Sequence, residues 1–119
     1  MRRMQLIPSN GTRLYGAIVA KEVELAQKHQ GTFHRSAPKE KDRAKWAHSR
    51  YDGWVNLERG MGEVVNIEIH SKQSASEWQI TSAFLGFLDR HFSDVIQAIN
   101  MQIVDESAGR AKAKRAAAA

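Results

Sequence analysis

At 119 residues, with 42% hydrophobic and 26% charged residues, the chain has the length and composition of one globular domain. It contains no cysteine, which excludes disulfides, thiolate metal sites and cysteine nucleophiles. No stretch reaches the ~20 apolar residues of a membrane span, and the start MRRMQLIPSNG lacks the apolar run of a signal peptide, so we expect a cytoplasmic protein that binds no membrane.

The formal net charge of +5 is concentrated in two segments of the chain. Six Lys/Arg and two acids lie between Arg35 and Arg50, and four further bases lie between Arg110 and Arg115. The remaining residues carry eleven acids against eight bases. We therefore expect one mildly acidic domain over residues 1–106 with a basic insertion at 32–51, followed by a disordered basic Ala/Lys/Arg tail over residues 107–119.

The first half of the chain predicts a short strand, a helix and an irregular segment. Residues 4–7 form the candidate strand, and the turn residues 8–11 end it. Apolar residues at helical spacing predict a helix over residues 13–29, with Thr12 as its N-cap. The basic insertion has few apolar residues, so it is either a solvated helix or a mobile loop.

From Trp54 onward the apolar residues recur with a period of two, which predicts a β-hairpin with strands at 54–58 and 64–70. A slip of one residue would turn the apolar side chains to the wrong face, so the alternation restricts the register. A three-residue loop ending at Gly62 keeps the apolar residues of both strands on one face, because it places Leu57 opposite Val65. In such a loop the last residue takes the left-handed conformation that glycine adopts at least cost.

The second half of the chain predicts one more helix and one more strand. Ser74 and Glu77 have the spacing of a capping box, and the helix that they open runs to Phe92. This helix is apolar on nearly all sides, so we expect a second subunit to cover part of it and the protein to be a homodimer. The alternation from Ile99 to Ile103 predicts a final strand.

The predicted fold class is α+β, an antiparallel sheet with two helices on one face in the order (β)αββαβ. If the first strand is present, this order is that of the ferredoxin-like arrangement. That arrangement puts the first strand in the middle of the sheet, where the short and polar MQLI segment is unusual. Without the first strand, the remainder is a three-stranded sheet with packed helices.

Two groups of residues are candidates for binding. The hairpin brings polar and aromatic side chains onto the face that the helices leave uncovered, and the basic insertion supplies cations with Trp46 among them, which would suit the phosphates and bases of a nucleic acid. His70 and Glu68 share a strand face as an acid/base pair would, but two ligands fall short of a metal site. The predicted binding residues are Lys39, Lys41, Arg43, Lys45, Trp46, Arg50, Trp54, Asn56, Asn66, Glu68 and His70.

The sequence therefore favours binding over catalysis, with no catalytic residue, metal or cofactor assigned and with a nucleic acid or other polyanion as the ligand. One alternative is a protein–protein interaction module, an inhibitor or adaptor, that docks an acidic protein or another partner through exposed Trp46 or Trp54. A second alternative is a small-molecule binder or enzyme that uses Asn56, Asn66, Glu68 and His70.

Overall fold

The structure is a computed structural model in which six strands form one antiparallel sheet and two helices pack against it. It describes residues 1–38 and 40–104. The elements in chain order are β1 (Arg2–Pro8), α1 (Leu14–Gln27), β2 (Phe33–Arg35), β3 (Arg43–His48), β4 (Trp54–Arg59), β5 (Val65–His70), α2 (Ser74–Phe92) and β6 (Ile96–Ile103). The strands lie in the order β2-β3-β4-β5-β1-β6. The predicted α+β class is confirmed, whereas a six-stranded sheet does not by itself establish the ferredoxin-like arrangement.

Strand β1 lies in the interior of the sheet, between β5 and β6. Met4 and Leu6 point into the core and are fully buried, while Arg3 and Gln5 point to the opposite, exposed face. This alternation explains how a segment with so many polar residues can occupy an interior strand, because only every second side chain enters the core. The predicted first strand therefore exists and is longer than predicted.

The core fills the space between the helices and one face of the sheet. Its strand residues are Met4, Leu6, Phe33, Ala44, Trp46, Val55, Leu57, Val65, Ile67 and Ile69, and its helix residues are Leu14, Tyr15, Ile18, Val19, Ile80, Phe84, Leu88 and Phe92. Within each strand these residues alternate, so α1 and α2 cover the same face of the sheet. Complete burial of one such aliphatic or aromatic side chain contributes about 1.5–3 kcal/mol.

The basic insertion forms a β-hairpin, and both of the predicted alternatives, a solvated helix and a mobile loop, are wrong for its described part. Strand β2 pairs with β3, and β3 pairs with β4, so the insertion extends the sheet at one edge. Within β3, Ala44 and Trp46 alternate with Arg43 and Lys45 and are buried. The cations therefore point away from the helices, and the apolar side chains join the core.

The predicted register of the β4–β5 hairpin is wrong by two residues. Leu57 lies opposite Ile67, and Arg59 lies opposite Val65. The connection is longer than three residues because Met61–Glu63 forms a 3₁₀ turn. Gly62 takes the left-handed conformation as predicted, with φ 66°. Because side chains alternate with a period of two, this shift changes every partner but leaves every residue on its predicted face.

The ends of the helices differ from the predicted caps. Helix α1 begins at Leu14 after Arg13, not after an N-cap at Thr12, and α2 begins at Ser74 with no side-chain capping hydrogen bond among the described residues. The carboxylate of Glu77, which a capping box would use, instead lies 3.0 Å from the amino group of Met1. Glu77 therefore makes a partly buried ionic contact in place of the predicted cap.

Neither helix of the described ranges is long and apolar enough to cross a membrane. The predicted tail at residues 107–119 and the candidate Lys39 both lie outside the described residues.

Candidate ligand-binding face

One face of the sheet is left uncovered by the helices, since both helices lie on the other face. We call it the open face. In β1, β3, β4, β5 and β6 every second residue points to it, and among the described residues all of those in its centre are polar. The residues that form its centre are Arg3, Gln5, Arg43, Lys45, Asn56, Glu58, Asn66, Glu68, Asn100 and Gln102.

The register of the strands arranges these ten side chains in two parallel rows across the sheet. The first row, the Glu68 row, consists of Lys45, Asn56, Glu68, Arg3 and Gln102. The second row, the Asn66 row, consists of Arg43, Glu58, Asn66, Gln5 and Asn100. Neighbours within a row are about 4.8 Å apart, and the rows are two residues, roughly 6.6 Å, apart. The result is a flat array of ten groups that can hydrogen-bond, five of them carboxamides.

Charge is distributed unevenly over the two rows. Arg43 and Lys45 lie together on β3, at one end of both rows. In the middle, the Glu68 carboxylate lies 3.8 Å from Arg3 Nε and 3.9 Å from His70 Nε2. The carboxamides occupy β1, β4, β5 and β6 and carry no charge. The open face therefore has a cationic margin on β3 and a nearly neutral centre.

Trp54 and His70 lie beside the Glu68 row. They are directly opposite each other on β4 and β5, and their rings stack in parallel with centroids 5.0 Å apart. Lys45, from the strand on the other side of Trp54, holds its ammonium group 5.2 Å from the centre of the indole ring. Neighbours on both sides thus contact the indole, and a ligand ring would have to displace one of them to stack on it.

A shallow cleft of about 440 Å³ runs over the centre of the open face. Its polar lining comes from both rows: Arg3, Gln5, Asn56, Glu58, Asn66, Glu68, Asn100 and Gln102. A carboxamide can donate and accept hydrogen bonds at the same time, whereas a carboxylate only accepts. The cleft can therefore bind a ligand with many donors and acceptors. Met4 and Ile67 also line it, but their side chains are buried in the core.

The structure brings together seven of the predicted binding residues on or beside the open face: Arg43, Lys45, Trp54, Asn56, Asn66, Glu68 and His70. Lys41 and Arg50 are exposed in the loops before and after β3. Trp46 has to be corrected, because its side chain is 1% exposed and lies among Phe33, Phe84 and Phe87. It belongs to the core and cannot contact a ligand or a partner.

The predicted set missed five residues of the two rows, Arg3, Gln5, Glu58, Asn100 and Gln102. The signal was present in the sequence, since Gln5 alternates with Met4 and Leu6, and Asn100 and Gln102 alternate with Ile99 and Met101. What the sequence did not specify was that β1 and β6 lie next to β5, which brings their polar side chains into the same rows.

Within residues 1–38 and 40–104, no group of three or more His, Asp or Glu side chains is arranged to hold a metal ion. Comparison of the chain with protein-family models, with curated proteins and with solved structures finds no match.

Proposed function

We propose that the protein binds single-stranded nucleic acid on its open face. The observation that carries the proposal is the pair of five-residue rows, with cations at the β3 end and carboxamides across the other strands. A single strand presents the same two chemistries, because it carries phosphates along its backbone and unpaired donors and acceptors on its bases.

The cationic margin supports binding of the phosphates. Arg43 and Lys45 are exposed, adjacent and on the same face as the rows, and Lys41 lies in the loop that leads into β3. Each cation that contacts a phosphate releases a condensed counterion, so the logarithm of the binding constant falls with log salt by about 0.7 per contact for a single strand. Contacts from Arg43, Lys45 and Arg3 give an expected slope of about −2.

The neutral centre supports recognition of bases. Asn and Gln form paired hydrogen bonds with base edges, and each good pair contributes about 1–3 kcal/mol of discrimination. Stacking contributes little on this face, since Lys45 and His70 already contact the indole of Trp54. We therefore expect moderate affinity, a small salt slope and a preference among bases.

Fluorescence anisotropy with single-stranded DNA and RNA oligonucleotides over a salt series tests the proposal. The double variant Arg43→Gln/Lys45→Gln should reduce the slope from about −2 to about −0.7. The matched control is Lys28→Gln/Arg90→Gln, which removes the same charge from exposed positions at and near the ends of the two helices, and it should leave the slope nearly unchanged. Absence of binding at low salt, or an equal loss in the control, would refute the proposal.

A second set of variants separates base recognition from charge. Asn56→Ala and Asn66→Ala should each weaken binding to the preferred oligonucleotide by about tenfold without a change in salt slope, because neither removes a cation. If both bind all oligonucleotides as the wild type does, the carboxamides do not contact the bases.

A polyhydroxylated small molecule is a second candidate ligand, favoured by the near-neutral centre of the cleft. Sugar hydroxyls both donate and accept, as the carboxamides do, and the carboxylates of Glu58 and Glu68 can accept from them without competition from phosphates. NMR titration with neutral oligosaccharides should then shift the side-chain amides of Asn56 and Asn66. Unchanged spectra at millimolar sugar would eliminate this candidate.

We also propose that β6-β1-β5-β4 with α1 and α2 is a split βαββαβ unit of ferredoxin-like type, into which the β2–β3 hairpin is inserted. The antiparallel order of these four strands supports it. An experimental structure in which β1 is not flanked by β5 and β6 would overturn it.

A further inference from the structure

We propose that β6 pairs with β6 of a second copy of the chain across a two-fold axis, and that this pairing joins two open faces into one ligand surface. The shared surface rests on the function proposed above, whereas the pairing itself does not.

One edge of β6 has no partner within residues 1–38 and 40–104. Among the described residues β6 pairs with β1 alone, so the polar backbone groups along its other side have no strand partner there. The strand is eight residues long, and the segment IQAINMQI contains no charged residue and no proline. Sheet edges that avoid association ordinarily carry such residues or are short, and β6 has neither protection.

The exposed apolar side chains of the described chain are concentrated at the same edge. Five large hydrophobic side chains are exposed, and four of them, Trp78, Ile99, Met101 and Ile103, lie on β6 or on the neighbouring part of α2, with exposures of 47%, 39%, 40% and 65%. Ile99, Met101 and Ile103 point to the helix side of the sheet, opposite Leu6, Met4 and Arg2. Exposed apolar side chains grouped beside a strand edge that has no partner within the described residues are typical of an association surface.

A second copy fits this edge better than the other edge of the same sheet does. Strand β2 is only three residues long and carries His34 and Arg35. The backbone N–H of Arg35 already donates to the Glu22 carboxylate at 2.8 Å, which satisfies part of that edge. Pairing of β6 of one copy with β2 of another would also be a head-to-tail contact, and repetition of such a contact need not produce a closed assembly. Pairing of β6 with itself closes after two copies and places no like charges opposite each other.

The pairing would extend the two rows. In an antiparallel pair, residues that lie directly opposite point to the same face, so the open-face residues of one β6 oppose those of the other. Asn100 and Gln102 would then stand at the centre of a twelve-stranded sheet instead of at its margin, and each row would continue into the second copy. A nucleic acid long enough to cross the axis could contact both halves.

Analytical ultracentrifugation over a concentration series tests the pairing without any ligand. The wild type should sediment as a dimer, and Met101→Lys should sediment as a monomer with an unchanged circular dichroism spectrum, because it places an ammonium group from each copy in the apolar interface. The matched control is Met61→Lys, since Met61 is 95% exposed at the tip of the β4–β5 loop, and it should remain a dimer. If Met101→Lys fails to fold, Ile103→Lys at the more exposed position replaces it.

A monomeric wild type, a dimeric Met101→Lys, or equal dissociation of the Met61→Lys control would each overturn the pairing. For the shared surface, Met101→Lys should weaken binding of a long oligonucleotide by about tenfold or more and leave a short one unaffected, since the second copy supplies the additional contacts only to the long strand. If Met101→Lys weakens binding of the long and the short oligonucleotide equally, or weakens binding of neither, the shared surface is overturned. A dimer that binds no oligonucleotide would refute the function proposed above and leave the pairing standing.

Discussion

Replacement of Trp46 by alanine should be one of the most destabilising single changes in the domain. Trp46 comes from the basic insertion, but its side chain is 1% exposed, and its ring centroid lies 5.7 Å from that of Phe87 and 6.2 Å from that of Phe84. An aromatic side chain buries about 150–250 Å², and at about 25 cal/mol per Å² its removal costs roughly 4–6 kcal/mol. Measured Trp→Ala changes in cores cost about 3–5 kcal/mol.

A loss of this size is a large fraction of the total stability. A domain of this length has a free energy of unfolding of about 5–15 kcal/mol. Each kcal/mol lowers the midpoint temperature by roughly 4–8 °C for a domain of up to ~100 residues, so Trp46→Ala should lower it by at least about 12 °C. Urea unfolding followed by far-UV circular dichroism measures the change without relying on the fluorescence of the residue that is removed.

Trp78→Ala is the matched control, because it removes the same side chain from a position that is 47% exposed. That indole contacts the guanidinium of Arg2 at 4.4 Å, so we expect a loss of about 1 kcal/mol. If Trp46→Ala costs no more than Trp78→Ala, the ring does not lie in the core and the insertion does not extend the sheet.

Three further predictions concern positions away from the open face. Gly53→Ala should destabilise the folded protein by about 2 kcal/mol or more, because φ at Gly53 is +150° and the new methyl group would meet a backbone carbonyl of β5. Gly86→Ala is the control: it lies in open space on α2 and should stabilise the folded protein by about 0.5–1 kcal/mol in the same urea assay. Glu77→Gln should cost about 1.5–3 kcal/mol, measured on a chain whose first residue carries a free amine, because the Met1 amino group and the Arg2 guanidinium, 3.0 and 3.4 Å away, both lose the charge of this carboxylate; no loss would show that these contacts are not formed. Burial, aided by the nearby Arg50, lowers the pKa of His48, so the unfolded chain takes up this proton at a higher pH than the folded one. The free energy of unfolding of the wild type should therefore be level above about pH 7 and fall as the pH drops through about 6.5. His48→Gln should reduce this dependence on pH but not abolish it, because burial also lowers the pKa of His91. An unchanged dependence on pH in the variant would contradict the prediction.

The sequence predicted well the elements whose pattern is local. Periodicity predicted both helices, the strands β4 and β5 and the final strand. It also placed Asn56 and Glu68 on the correct face, although the predicted register was wrong. The register itself was wrong because alternation is unchanged by a shift of two residues. The observed register goes with a 3₁₀ turn at Met61–Glu63, in which Gly62 and Glu63 have positive φ, and alternation does not predict this turn.

The basic insertion shows why the remainder could not be predicted. Arg43 to Lys45 is dense in charge, which is typical of a solvated segment, and the weak alternation of Ala44 and Trp46 became decisive only because β4 was available as a partner. Strand propensity depends on the neighbouring strand, and a single sequence does not state which strands are neighbours. The same gap concealed Gln5 and Asn100 from the predicted binding set.

The position of β1 also determines the order in which the fold can be completed. Arg2 pairs with both Ile69 and Ile103, so β1 finds its partners in the second half of the chain and at the end of the described part. Strands β2 to β5 are joined by short connections and can assemble as a local meander. Strand β1, with Met4 and Leu6, can be paired on both edges only after β6 has left the ribosome. Closure of such distant pairs is slow. We expect pulsed hydrogen exchange to show early protection in β3–β5 and late protection in β1, and simultaneous protection would contradict this order.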